Sequence, residues 1–282
     1  MSRVYEELKE AGFSFKKKFG QNFITDRNLL EAIASDANIS REDTVLEIGV
    51  GAGTLTEVLA ATAKHILAVE IDVLLNGFLY KKFEDAENVL LLFSDILEIK
   101  KEDLLTMLAL EKGGKFKVVA NLPYYITTPI IFKLIDDFME ELESITVMVQ
   151  KEVAERIVAK PGTKEYGIIS VKLNAVANTR ISRTVSRKMF RPEPNVDSAM
   201  LVIEFDEAKK KEFGDVTFEQ FKKVVSGCFG MRRKTLHNNL VSALKLDKVK
   251  AKEIITKLGF SEDIRAERLT YEDFIRLTRE IF

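Results

Sequence analysis

The run Thr44-Val45-Leu46-Glu47-Ile48, continuing into Gly49-Val50-Gly51-Ala52-Gly53-Thr54, decides the fold. Its first five residues are mostly β-branched or apolar and predict a strand. The glycines predict a tight strand-to-helix turn whose backbone passes close to a ligand at the carboxyl edge of a sheet. Outward from this unit, β-rich runs at residues 65–70, 88–93, 116–120 and 144–149 alternate with helical stretches. Such alternation predicts a parallel, doubly wound α/β sheet. Residues 168–176 and 198–205 predict later strands, the second closing the sheet near Asp206.

Upstream, Leu29, Leu30, Ile33, Ala34 and Ala37 recur at helical spacing, and Ser40 with Asp43 resembles a capping pair. Beyond Asp206 only helices are predicted. Phe218, Phe221, Val225 and Phe229 form one stripe and Leu236, Leu240 and Leu244 another, and the Thr270-x-x-Asp273 box opens a last helix with Phe274, Leu277 and Ile281. The expected organisation is a basic arm at 1–25, an α/β domain at 26–206 and a small all-helical domain at 207–282.

A chain of 282 residues that is 46% apolar can bury a substantial core. No apolar run approaches the ~20 residues that span a bilayer, and Met1-Ser2-Arg3-Val4-Tyr5-Glu6-Glu7 is too charged for a secretory leader. A cytoplasmic, monomeric protein is expected. Cys228 is the one cysteine and His65 and His237 the only histidines, so neither a disulfide nor a metal site is expected.

The formal net charge of −1 conceals segregation along the chain. Between Tyr166 and Pro192 stand Lys172, Arg180, Arg183, Arg187, Lys188 and Arg191 with no acid. Between Lys222 and Lys257 ten basic residues face only Asp247 and Glu253, whereas Glu70 to Glu111 holds ten acids against four lysines. Either basic run alone could be a solvated face. Two in one half of the chain favour a surface for a polyanion, with Arg183, Arg187, Lys188, Arg232, Arg233 and Lys234 as candidate RNA contacts.

At the strand ends, Glu70 lies 21 residues after Gly49, where a carboxylate can accept hydrogen bonds from two ribose hydroxyls. A nicotinamide dehydrogenase shows the same pair. Its fingerprint, however, wants Gly or Ala five residues after the first glycine, where Thr54 stands. Asp95, after the third strand, could accept from an adenine amino group or simply cap a helix. Ribose acid plus adenine acid, without a phosphate cradle, fits S-adenosylmethionine as cofactor.

Asn121-Leu122-Pro123-Tyr124-Tyr125 ends the fourth strand. The lone pair of an adenine N6 is delocalised into the ring. Accepting its two hydrogens at the Asn121 side-chain oxygen and the Leu122 carbonyl holds the nitrogen nearer tetrahedral and directs that lone pair at a methyl donor. Pro123 keeps Leu122 extended, and Tyr124 can stack on a flipped base. Phe190, in the proline-stiffened loop Phe190-Arg191-Pro192-Glu193-Pro194-Asn195-Val196-Asp197-Ser198, can close the other face or serve as core. An Asn-Pro turn without chemistry is the bland alternative for the first motif.

With these residues in place, the chain from about Phe15 onward resembles the ribosomal RNA adenine N6-dimethyltransferases of the KsgA type, siblings of the Erm methyltransferases. The marks are Gly20-Gln21-Asn22-Phe23-Ile24, the glycine turn, Glu70-Ile71-Asp72, Asp95-Ile96, Asn121 to Tyr125, Gln150 to Arg156 and Phe190 to Ser198. The resemblance implies a class I (Rossmann-like) methyltransferase domain. It implies that Asn22 and Ile24 cover the cofactor, Gly49 and Gly51 lie by its methionine part, Glu70 and Ile71 take the ribose side, Asp95 and Ile96 hold its adenine, and Asn121 binds the substrate amino group beside it. Phe229-Gly230-Met231-Arg232-Arg233-Lys234-Thr235-Leu236 resembles the KsgA-type branch, which implies small-subunit ribosomal RNA in an assembling subunit as partner. Val73 stands where that family usually has a basic residue, and Ser186 where it commonly has proline.

Overall fold

The computed structural model describes residues 22–24 and 26–282. The rest of the expected basic arm, including Gly20 and Gln21, lies outside the described residues. The chain forms two compact units. One comprises the chain up to Ala154 together with Arg180–Glu204, and the other comprises Glu155–Thr179 and Phe205–Phe282.

In the first unit, β1 (Phe23–Ile24) precedes α1 (Arg27–Asp36), β2 (Thr44–Ile48), α2 (Thr54–Ala60) and β3 (His65–Glu70). Then come α3 (Asn76–Lys82), β4 (Val89–Phe93), α4 (Lys101–Met107), β5 (Phe116–Asn121), α5 (Thr127–Phe138) and β6 (Leu142–Gln150). Helix α6 (Lys151–Ile157) follows, α7 (Ile168–Asn174) belongs to the second unit, and β7 (Ala177–Val185), β8 (Phe190–Arg191) and β9 (Ser198–Phe205) complete the strands. The large sheet has the order β4-β3-β2-β5-β6-β9-β7. Strands β2 to β6 run parallel, and β9 is antiparallel to β6.

This order explains where a ligand belongs. The chain builds outward from β2 through β3 to β4, then returns to lay β5 on the other side of β2. The helical crossovers diverge there, leaving a crevice beyond the carboxyl ends of β2 and β5. All five residues of β2 are buried, as expected of a central strand in a parallel sheet covered on both faces.

Three expectations change. Residues 168–176 form α7 rather than a strand: Ser170 Oγ accepts the Gly167 N–H at 3.2 Å and donates to the Arg156 carbonyl at 2.6 Å, which starts a helix. The missing strand is β7, which starts nine residues later. The domain boundary also moves, because residues 155–179 pack with the C-terminal helices: Gly162 N–H donates to the Glu267 carbonyl at 2.7 Å and the buried Tyr166 hydroxyl to the Leu269 carbonyl at 2.9 Å. The second unit otherwise is helical as expected, with α8 (Glu207–Lys211), α9 (Phe218–Cys228), α10 (Leu236–Ala243), α11 (Lys248–Lys257) and α12 (Tyr271–Ile281). The Thr270 and Asp273 side chains form the expected capping box.

Candidate active site

The crevice between β2 and β5 is lined by most of the residues that the sequence singles out. Gly49, Gly51, Glu70 and Ile71 form one wall, and Asn121, Leu122, Pro123 and Tyr124 the other. Asn22 and Ile24 line it from β1. The two motifs meet at the switch point: a Cβ on Gly49 would stand 3.6 Å from the Asn121 main-chain oxygen. Gly51 has φ +57°, and a Cβ there would come within 2.8 Å of the Phe23 ring, so this glycine admits β1 to the cleft.

Glu70 is fixed by this loop. Its Oε2 accepts the Gly51 N–H at 2.7 Å and its Oε1 the Asp72 N–H at 2.8 Å. Burial raises its titration above the usual carboxylate value, and these backbone donors oppose the rise. A carboxyl oxygen has two lone pairs, so each retains an acceptor for a ribose hydroxyl.

Glu47 was not among the residues selected from the sequence. It is buried one residue from the end of β2 and lines the cleft, and among the described residues neither carboxyl oxygen makes a well-formed hydrogen bond, although the Thr56 hydroxyl beside it favours its charged form. Burial pushes its titration up to about 8. The signal was available, since Glu47 is an acid inside an otherwise apolar strand. A buried, unpartnered acid at the floor of a cleft fits a ligand bearing a cationic or hydrogen-donating group.

Asn121 ends β5, and its Nδ2 donates to the Asn22 carbonyl at 2.8 Å. That bond orients the amide, so the end remaining for a ligand is an acceptor. Thr54 Oγ1 donates to the Ile24 carbonyl at 3.0 Å and, with the Asn121 bond, fastens β1 at both ends. Tyr124 is half-buried, with its hydroxyl 2.6 Å from Ser198 Oγ. Tyr125, beside it, is exposed, and its phenol is raised by burial and by the charges of Asp95 and Glu70.

Several candidates are not brought into the cleft. Phe190 is wholly buried: its strand β8 pairs with β1, opposite Ile24, and its ring joins the core with Ile33 and Met200. It offers no face to a base, which corrects the expected two-sided clamp. Asp95 and Ile96 follow β4 outside the cleft lining, and Asp95 Oδ1 accepts the Leu97 N–H at 2.9 Å within a turn; no helix begins there, so Asp95 is not a helix cap. Cys228 is buried and its thiol is pushed up to about 12.

The basic candidates divide similarly. Arg183 makes a double bond of contacts with Asp36, 2.6 Å at each end, which lowers the Asp36 titration and assigns the guanidinium to holding β7 against α1. Arg187 pairs with Glu193 at 3.0 Å. Arg232 pairs with Glu267 at 3.3 Å and donates to the Lys164 carbonyl. Lys188, Arg233 and Lys234 are exposed and carry no ion pair among the described residues. Arg232 to Lys234 stand in the loop before α10, not on a helix. Buried Asn239 shapes that loop by accepting the Met231 N–H at 2.9 Å and donating to the Met231 carbonyl at 3.2 Å.

Comparison with known proteins agrees with this geometry. Residues 12–281 match the ribosomal RNA adenine dimethylase family. The chain is 46% identical over 282 residues to the ribosomal RNA small subunit methyltransferase A of Ligilactobacillus salivarius, covering 98% of this chain and 93% of that one. It is 40% identical to the protein of the same name from Bacillus mycoides, covering 99% and 96%. Among solved structures, a dimethyladenosine transferase from Plasmodium falciparum superposes with a TM-score of 0.75 at 25% identity, over 90% of this chain and 95% of that one. The 23S rRNA methyltransferase ErmE shares the fold with a TM-score of 0.66 at 23% identity, over 92% and 99%. Matched by the family over residues 12–281 and 40–46% identical to these relatives over nearly its whole length, this chain belongs to the ribosomal RNA adenine dimethylase family.

Proposed function

We propose that the chain dimethylates N6 of two adjacent adenines near the 3′ end of small-subunit ribosomal RNA, using S-adenosylmethionine, during subunit assembly. The observation that carries this reading is the meeting of Asn121 and Gly49 across the β2/β5 switch point, which brings the end of β5 and the glycine turn into one cleft. The names of the curated relatives support the small subunit as target.

When bound, S-adenosylmethionine supplies an electrophilic methyl on a sulfonium. Glu70 would hold the ribose diol, the Gly49 to Gly53 turn would take the methionine part, and Glu47 would answer its positive charge. Asp95 and Ile96, outside the cleft lining but with the Asp95 charge felt at Tyr125, would take the adenine end, Asp95 through the oxygen that Leu97 leaves open. Asn121 Oδ1 and the Leu122 carbonyl accept the N6 hydrogens of the target, so positioning replaces a strong base. Tyr124 supplies the stacking face. The proton leaving N6 would pass to solvent, since the carboxyl groups that line the cleft among the described residues, Glu47 and Glu70, would be engaged by the cofactor.

Incubation with labelled S-adenosylmethionine and separate immature small and large ribosomal subunits, followed by mass mapping of the modified nucleotide, tests this. Dimethyladenosine is expected in small-subunit RNA. Label confined to the large subunit overturns the assignment of target, and absence of transfer overturns the activity.

Arg233 and Lys234 are proposed as phosphate contacts. Changing both to alanine is expected to weaken binding of immature small subunits, leave cofactor binding intact, and flatten the log-affinity versus log-salt slope by roughly 1.4 to 1.8, at about 0.7 to 0.9 per contact. Parallel salt series for variant and wild type would show that neither touches phosphate.

A further inference from the structure

Tyr124 is held at both ends. Its backbone lies in the turn where the Ile126 N–H donates to the Pro123 carbonyl at 3.2 Å, and its hydroxyl stands 2.6 Å from Ser198 Oγ. Ser198 is completely buried and opens β9, in register with Gln150 of β6. The adjoining residue is pinned as well: the Asp197 carbonyl accepts the Lys151 N–H at 3.1 Å and its Oδ1 the Arg187 N–H at 3.0 Å. The hydroxyl contact therefore reaches from the end of β5 across β6 to a strand start that cannot shift. A phenol free at its far end turns about both side-chain torsions, whereas one tied there presents its ring in one plane. Among the described residues the Ser198 hydroxyl has no other hydrogen-bond partner.

Given methyl transfer to a base stacked on Tyr124, we propose that Ser198 is a positioning residue for that reaction, fixing the Tyr124 ring so that a flipped adenine meets a preset wall and its N6 arrives at Asn121 without a search. The inference rests on the methyl-transfer reading of the site. It acts through preorganisation, which lowers the cost of reaching the reactive geometry and leaves the cofactor side untouched.

The test is single-turnover methylation of immature small subunits with labelled S-adenosylmethionine by wild type, Tyr124→Phe, Ser198→Ala and the double variant. Each single change is expected to slow transfer at saturating subunits roughly five- to tenfold, the worth of one hydrogen bond. The double variant is expected to be no slower than the slower single one, because both remove the same bond. Cofactor affinity and the subunit concentration for half-saturation stay at wild-type values. Wild-type rates in Tyr124→Phe, or effects that multiply in the double variant, overturn the proposal. Should Ser198→Ala fail to fold, Tyr124→Phe decides alone, since it removes the bond without touching β9. An inactive wild type instead sinks the methyl-transfer reading itself.

Discussion

Asn121→Ala is expected to lower the single-turnover rate of methyl transfer by roughly 10²–10³, the loss that follows removal of one preorganised hydrogen-bonding group. Its side-chain oxygen is the proposed acceptor for the substrate nitrogen, and its other end is already committed to the Asn22 carbonyl at 2.8 Å. Losing that second bond loosens β1 over the cleft, so cofactor affinity falls too, but by no more than about fivefold, as for one bond of about 1 kcal/mol. Calorimetry and single-turnover assays separate the two effects. An equal loss in both makes Asn121 a cofactor residue, and an unchanged rate removes it from the chemistry.

The second large effect concerns stability. Glu47 titrates near 8 in the folded chain against 4.5 when exposed. Below about 4.5 it is protonated in both states. Above that, the unfolded chain gives up its proton while the folded chain retains it, so stability falls by about 1.4 kcal/mol per pH unit until roughly pH 8 and then levels. Glu47→Gln keeps the shape and cannot ionise. Without cofactor it is expected to match wild type at pH 4.5 and to exceed it by on the order of 3 kcal/mol at pH 7. Urea denaturation across pH 4.5 to 8 checks this, with the difference between the two proteins isolating Glu47 from the similarly raised Glu70. Parallel stability profiles would show that the carboxyl reaches water in the folded chain. Cofactor affinity is expected to drop in the same variant, which trades ligand attraction for stability.

The sheet was legible because its strands are continuous apolar runs that end in chemically distinctive residues. Local chemistry sufficed to place β2 with its glycine turn, and Glu70 and Asn121 at the ends of their strands. It failed where the outcome depended on distant partners. Residues 168–176 alternate Ile169, Val171, Leu173 and Ala175 with Ser170, Lys172 and Asn174, the period of a half-buried strand, and the helix wins through contacts that periodicity does not carry, Ser170 with Gly167 and Arg156. The true strand β7 carries Asn178, Thr179, Arg180, Ser182 and Arg183, a composition with little strand signal. Phe190 has no local mark distinguishing core from platform. Its burial follows from pairing β8 with β1, residues 166 positions apart at Ile24 and Phe190. Arg183 likewise reads as a free cation until Asp36 is seen beside it.

The bond between Asn121 and residue 22 uses a main-chain oxygen on the arm side. Whatever side chain position 22 presents to the cofactor, its identity is irrelevant to this contact, and no substitution there deletes the acceptor. Genetic sensitivity is displaced to positions that set the path of the strand. Gly51 is one, since any Cβ meets the Phe23 ring at 2.8 Å, and Thr54 is another, since its hydroxyl secures the Ile24 carbonyl. Random mutagenesis scored for activity should therefore recover lesions at 51 and 54 that mimic partial loss of Asn121 while leaving that asparagine intact.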